Sequence, residues 1–282
     1  MVNRMVADWQ LSALQWCSTP DPADNLARLR TLLGTLPQHS QHLVVLPECA
    51  LIFGGPEGWQ QRFSEPLGQG PLQAELAALA RQFQLYLLLG SFPTQSADPS
   101  RFAASSLLFA PDGRLLADYQ KLHLFDVEVA DRTGSYRESD STQAGEKVVL
   151  ADCGGLKLGL SICYDVRFPA MMQQLAALGM QVLAVPSAFT RVTGAAHWHA
   201  LLKARAIETQ CFVVAPNQTG VHANGRETYG HSLILDPYGR VLADAGTEPG
   251  LISARIDLKL LTEVRQAMPL QQHNRFNCEL IP

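Results

Sequence analysis

The chain has 282 residues, 47% of them hydrophobic and 17% charged, with a formal net charge of -4 and no basic run. That balance describes a globular protein with ample core and excludes the basic surface that nucleic-acid binding requires. Cys17, Cys49, Cys153, Cys163, Cys211 and Cys278 form no CxxC pair and no regular spacing, so free thiols in a reducing compartment are expected, with no disulfide framework or zinc site.

The opening segment, MVNRMVADWQLSALQW, is interrupted by Asp8 and Gln10 and does not read as a signal peptide. No apolar run is long enough to span a membrane, so a cytoplasmic protein without membrane contact is expected. Residues 11–17 (LSALQWC) read as a strand that Pro20-Asp21-Pro22 breaks, and Asp24 or Asn25 is placed to cap a helix through Leu26, Leu29, Leu32 and Leu33. Residues 42–47 (HLVVLP) form a short apolar strand with Glu48 at its end. A carboxylate after four apolar residues is oddly placed for a solvated surface, yet on position alone Glu48 is as readily a helix cap or loop charge as a functional group.

Glycines and prolines at 54–56 and 68–71 punctuate a loop, after which Leu72, Leu76, Leu79 and Ala80 share one face of a helix over 72–83. Residues 85–92 form a second buried strand, and 102–109 with 114–119 make a hairpin around Ala110-Pro111-Asp112-Gly113. Lys121 follows directly, which on position alone is an ordinary surface lysine. The polar stretch 127–147, with Glu128, Arg137, Glu138 and Asp140, reads as a long functional loop.

In residues 155–162, Leu156, Leu158, Leu160 and Ile162 alternate with Lys157, Gly159 and Ser161, the period of a strand. Cys163 stands at the corner before the helical run MMQQLAALGM, where a nearby helix N-terminus favours a thiolate. Taken singly, such a cysteine is a small buried hydrophobe. Further strands are expected over 181–186, 211–216, 232–236 and 250–256, with a helix over 197–208. Short runs such as LVVLP, LYLLLG and VLAVP are apolar throughout, as in strands covered on both faces. The fold class is therefore α/β with sheets inside and helices outside, in one domain over residues 1–282 that ends in an arm from about 257.

Three strand ends carry Glu48, Lys121 and Cys163 in that order. With their surroundings, LPE, YQKLHLF and ICYDVRFP, they resemble the nitrilase superfamily of carbon–nitrogen hydrolases over residues 10–275. The resemblance implies a four-layer αββα sandwich whose subunits pair into a homodimer. It also implies covalent catalysis of amide hydrolysis, a reaction that a thiol divides into two easier steps. Cys163 is then the nucleophile and Glu48 the proton shuttle, while Lys121 and the backbone N–H of Tyr164 stabilise the oxyanion. Glu138 matches the second glutamate that braces the lysine, with Glu128 a less convincing candidate. No cofactor or metal is called for, and the eight histidines show no ligand spacing; His123 and His197 read as packing or hydrogen-bonding residues.

Within the superfamily, HLFDVEV, RESDST, PSAFTRVTG and YGHSLILDPYGRV look most like the Nit amidases, and IETQC with Asn217-Gln218-Thr219-Gly220 is similar to their deaminated-glutathione amidase group. The substrate so implied is a small α-keto acid amide, with ω-amidase substrates such as α-ketoglutaramate as the alternative. Both carry a carboxylate that Arg167 is placed to bind, unless it braces Asp165 or the helix start. Phe189, Thr190 and Thr193, in what reads as a loop, are expected pocket-wall residues. A nitrile, N-carbamoyl or simple aliphatic amide substrate keeps the same three residues. A non-enzymatic thiol sensor needs neither Glu48 nor Lys121.

Overall fold

In the computed structural model, which describes residues 8–39 and 41–281, each of the first strands divides its side chains between two cores. Residues 1–7, the start of the segment read for a leader, lie outside the described residues. The first half runs β1 (Trp9–Gln15), α1 (Pro22–Leu33), β2 (His42–Val45), α2 (Pro71–Phe83), β3 (Tyr86–Gln95), β4 (Phe102–Phe109) and β5 (Leu115–Gln120). Leu11, Ala13, Leu43, Val45, Leu88 and Leu108 point one way, into a core shared with the second half. Leu14, Val44, Leu87, Leu89, Leu107 and Phe109 point the other way, against Leu29 and Leu33 of α1 and Leu76 and Leu79 of α2. The period of two in the strand puts alternate residues on opposite faces, and both faces are covered.

A hairpin of β6 (Asp126–Glu128) and β7 (Ser135–Arg137), a single 3₁₀ turn over Glu138–Asp140 and the short β8 (Thr142–Gln143) occupy the stretch read as a long loop. The second half contains β9 (Leu150–Cys153), β10 (Leu156–Leu160), α3 (Pro169–Ala177), β11 (Val182–Ala184), α4 (Arg191–Thr209) and β12 (Phe212–Ala215). A second hairpin, β13 (Thr219–Val221) and β14 (Glu227–Tyr229), precedes β15 (Leu233–Leu235), β16 (Val241–Asp244) and β17 (Gly250–Ile256). The 7-stranded sheet has the order β17-β1-β2-β3-β4-β5 with β8 beside β4, and the 6-stranded sheet the order β16-β15-β12-β11-β10-β9. Each has a parallel centre, β1-β2-β3 in one and β10-β11-β12 in the other. Met172 and Leu175 of α3 and Trp198 and Leu202 of α4 cover the outer face of the second sheet. The layers are αββα.

Two helices begin earlier than their apolar spacing suggests. Asp21, not Asp24 or Asn25, caps α1: its Oδ1 accepts the Ala23 N–H at 2.9 Å, and Pro22 takes the first helical position, where its missing N–H costs nothing. Thr190 caps α4 by accepting the Thr193 N–H at 3.2 Å, so the segment after Thr190 is a helical turn and not a loop. After β17, α5 (Lys259–Ala267) buries Leu261 and Val264 and is tied down by Arg265, whose Nη2 donates to the carbonyls of Met180 at 2.6 Å and Gln210 at 3.1 Å. The short α6 (Leu270–His273) follows, and residues 274–281 are exposed and irregular.

Gly90 controls how closely β3 approaches the end of β2. A Cβ there would collide with the carbonyl oxygens of Leu46 and Pro47, the two residues that precede Glu48. Gly90→Ala is therefore expected to lower stability by about 1–3 kcal/mol, the usual cost of overpacking, measured by denaturant unfolding. Activity should fall beyond that loss when assayed where the variant is fully folded, because Glu48 moves with the displaced backbone.

Candidate active site

Each candidate residue stands just beyond a strand. Glu48 follows the last residues leaving β2, Lys121 is the residue after β5, and Cys163 opens a 3₁₀ turn over Cys163–Arg167 after β10. Cys163 adopts φ +48°, the left-handed region, which an L-residue occupies only when its surroundings hold it there. Its N–H donates to the Pro186 carbonyl at 2.9 Å. Asp165, fully buried, fixes the turn. One of its oxygens accepts the Ile162 N–H at 2.8 Å and the Tyr119 hydroxyl at 2.7 Å. The other accepts the His123 N–H at 3.1 Å and lies 2.7 Å from His123 Nδ1. His123 also stacks on Phe168 with ring centroids 3.6 Å apart. Arg167 plays no part in bracing Asp165.

The charges meet at Lys121, which is 1% exposed. Its Nζ donates to Glu48 Oε1 at 2.8 Å and to both oxygens of Glu138 at 2.8 and 2.9 Å. Glu48 Oε2 accepts the Ala188 N–H at 2.9 Å, and Glu138 Oε2 accepts the Phe125 N–H at 2.7 Å. Burial works to discharge Lys121, but Glu138 and then Glu48 more than offset it and hold the ammonium well above the ordinary lysine range. Burial also opposes the Glu48 charge, yet the Lys121 cation and its hydrogen bond bring that carboxyl below its ordinary value, with help from Cys163 and Arg226. Glu138 goes the other way: burial raises it, Lys121 pulls it back and the Glu48 charge leaves it above its ordinary value. Burial and then Glu48 push the Cys163 thiol well up, and neither Lys121 nor the Ala188 N–H restores it. The resting pair is a carboxylate beside a protonated thiol. The thiolate favoured by the helix-corner argument is not the ground state.

Glu128 lies elsewhere, exposed, in an ion pair with Arg137 at 2.7 Å. Cys49, next to Glu48, is partly buried, and desolvation followed by the Glu48 charge pushes its thiol up to about 12, which leaves it protonated at neutral pH. No two of the six cysteines are bonded.

The cluster opens into a cavity of about 580 Å³, within the range of small-molecule sites. Tyr164, Arg167, Phe189, Thr190 and Thr193 line it. The Arg167 guanidinium lies 5.1 Å from the centre of the Phe189 ring, its Nη1 is 3.2 Å from His197 Nδ1, and it has no acidic partner among the described residues. Three contributors were given no place in the site by the sequence, although two of them, Asn217 and Gln218, belong to a string that carries the resemblance. Gln218 donates from Nε2 to the Glu48 carbonyl at 2.9 Å, and Asn217 Oδ1 accepts the Phe189 N–H at 3.0 Å, so Asn217-Gln218 braces both walls. Arg226, from the β13–β14 hairpin, also lines the cavity. The fold assembles one group with metal-ligand proximity among the described residues, His199, His231 and Asp244, on no part of the cavity wall. Their separation in sequence concealed it.

A buried thiol beside a carboxylate and an ammonium, at the strand ends of an αββα sandwich, is the layout of an enzyme that opens carbon–nitrogen bonds. The chain belongs to the carbon–nitrogen hydrolase family, whose model matches residues 10–266. It is 41% identical over 276 residues to a deaminated glutathione amidase from Yersinia enterocolitica, covering 96% of this chain and 95% of that one. It is 34% identical to an omega-amidase from Xenopus laevis, over 96% of this chain and 97% of that one. Among solved structures, the C. elegans NitFhit protein superposes with a TM-score of 0.86 at 34% identity, over 96% of this chain; this chain spans 66% of that longer one. Saccharomyces cerevisiae Nit3, a member of branch 10 of the nitrilase superfamily, gives 0.85 at 31% identity, covering 95% and 97%.

Because the Glu48 charge helps to hold the Cys163 thiol up, Glu48→Gln should lower that pKa and raise the thiolate fraction at a given pH. The pH-dependence of iodoacetamide labelling, followed on the peptide carrying Cys163, is expected to shift downward in the variant. A midpoint that stays put or rises contradicts this account of the pair.

Proposed function

We propose that the protein hydrolyses the amide of an α-keto acid through a cysteine thioester, with deaminated glutathione as its substrate and α-ketoglutarate and cysteinylglycine as products. The observation that carries the chemistry is the geometry of the cluster: Glu48, Lys121, Glu138 and Cys163 line one cavity, and the buried Lys121 ammonium is bonded to Glu48 and Glu138 at 2.8 Å.

In the first step the Cys163 sulfur bonds to the amide carbon while Glu48 takes the thiol proton. The carbonyl oxygen becomes an oxyanion, opposite which stand the Lys121 ammonium and the Tyr164 N–H. Collapse breaks the carbon–nitrogen bond, and Glu48 passes its proton to the departing cysteinylglycine amine. Water then attacks the thioester, Glu48 takes its proton, the carbon–sulfur bond breaks and the proton returns to Cys163. Glu138 stays bonded to Lys121 throughout and keeps the ammonium aimed. Arg167, lacking an internal acid, binds the α-keto carboxylate with Phe189, Thr190 and Thr193 as the wall beside it.

The match to deaminated glutathione amidases at 41% identity supports that substrate. The 34% match to an omega-amidase favours α-ketoglutaramate as the second reading. We also propose a cytoplasmic homodimer. Ile207 of α4 and Tyr238 in the turn facing it are 51% and 54% exposed on the outer helical face, and six unpaired thiols suit a reducing compartment.

Hydrolysis of deaminated glutathione and α-ketoglutaramate, compared side by side, is expected to give the larger kcat/KM on the first. Cys163→Ala should abolish turnover with the fold intact. Glu48→Gln should lose at least about 100-fold in kcat, the contribution of a positioned proton shuttle. Preference for α-ketoglutaramate moves the protein to the second reading, and a near-normal rate in Glu48→Gln removes the shuttle.

A further inference from the structure

Arg226 lines the wall of the cavity and forms no salt bridge among the described residues. Its guanidinium lies 5.0 Å from the ring centres of both Phe53 and Tyr136, an aromatic setting that favours the cation. Nη2 donates to the Ala188 carbonyl at 2.9 Å, its only side-chain hydrogen bond among the described residues. Nε is buried with no partner among the described residues. A guanidinium carries five donors, so bracing the Ala188 carbonyl occupies one of them and leaves a buried N–H unsatisfied. Leaving such a donor unpaired costs free energy that a ligand oxygen recovers.

Ala188 also locates Arg226 within the cavity. Its N–H is bonded to Glu48 Oε2 and its carbonyl to Arg226, so the two side chains flank one residue. Arg167 lies apart, on the turn that carries Cys163. In the mechanism above Glu48 faces the departing amine, which places Arg226 on the leaving-group side and Arg167 on the acyl side.

We infer that Arg226 anchors a carboxylate on the leaving group, so that the cavity selects an amide flanked by a carboxylate on each side over one with an acyl-side carboxylate alone. This rests on the α-keto-amide reading of the site and refines it: the terminal carboxylate of a departing dipeptide is the group that Arg226 takes.

The test uses deaminated glutathione, its C-terminal carboxamide and α-ketoglutaramate, on the wild-type protein and on Arg226→Met and Arg226→Lys. A charge-assisted hydrogen bond corresponds to about 10- to 100-fold in binding. Amidating the terminal carboxylate should cost the wild type that factor in kcat/KM, most of it in KM. Arg226→Met should lose the same factor on the parent substrate and little more when the carboxylate is amidated, a closed cycle that a structural role does not give. Its preference for deaminated glutathione over α-ketoglutaramate should fall by the same factor. Arg226→Lys, which keeps the charge and loses the fork, should fall between, and it carries the test if the methionine variant fails to fold. Equal losses on all three substrates, or a wild type indifferent to the carboxamide, overturn the assignment while the α-keto-amide reading stands. A wild type silent on deaminated glutathione overturns that substrate and the anchor with it.

Discussion

One buried ammonium bridges two carboxylates, each 2.8 Å from it. Lys121 is nearly inaccessible, so its charge survives only because Glu48 and Glu138 surround it, and theirs survive only because of it. Buried ions cost several kcal/mol each unless they are paired and hydrogen-bonded, so such an arrangement must be completed throughout or not formed. The backbone completes it. The Ala188 and Phe125 N–H groups take the remaining oxygens, and Lys121 itself is clamped by its N–H to Ala104 at 3.0 Å and its carbonyl to Gly145 at 2.8 Å. The same arrangement divides the labour of two chemically identical groups, one carboxyl drawn below its ordinary value and the other lifted above it.

Those contacts cross the seam between the two sheets. Glu48 and Lys121 leave strands of the first sheet, while Cys163 and Ala188 follow strands of the second. The shared core of Leu11, Leu43, Leu88, Leu158 and Val213 therefore sets the distance between nucleophile and base. The hairpin that follows β12 bridges the seam from above: Gln218 reaches the Glu48 backbone, Asn217 holds Phe189, and Arg226 closes the wall. A one-residue slip in either sheet would turn each strand-end residue to the wrong face.

The three strand-end residues were legible because each sits in a distinctive local string and the three strings occur in order; position alone left each of them with an ordinary reading. Cys163 and the fold class came from the same signal. Asp165 was readable only as part of a motif; its partners Tyr119 and His123 lie 46 and 42 residues earlier, and no local pattern announces a bond across that gap. Arg226 sits in a polar turn where a charged residue is the default. The start of α4 was hidden by Gly194, which suggests a loop; in the structure that glycine is where Tyr229 presses against the helix and leaves no room for a Cβ. Cys49 adjoins Glu48 in the chain, yet its reactivity depends on desolvation, which one-dimensional order does not record.

The pairing of β1 with β17 reaches across almost the whole chain, from Trp9 opposite Ile256 to Gln15 opposite Gly250, with the Ser12 and Ser253 hydroxyls 2.6 Å apart. On the ribosome this means that β1 waits for β17. Until residue 256 has left the exit tunnel, one edge of β1 offers unpaired N–H and C=O groups to any other strand nearby. The N-terminal half thus spends most of its synthesis as an open template, with a contact order that makes closure slow. For this fold the hazardous interval is the time taken to translate the second half, a quantity set by codons and chaperones as much as by the contacts in the finished molecule.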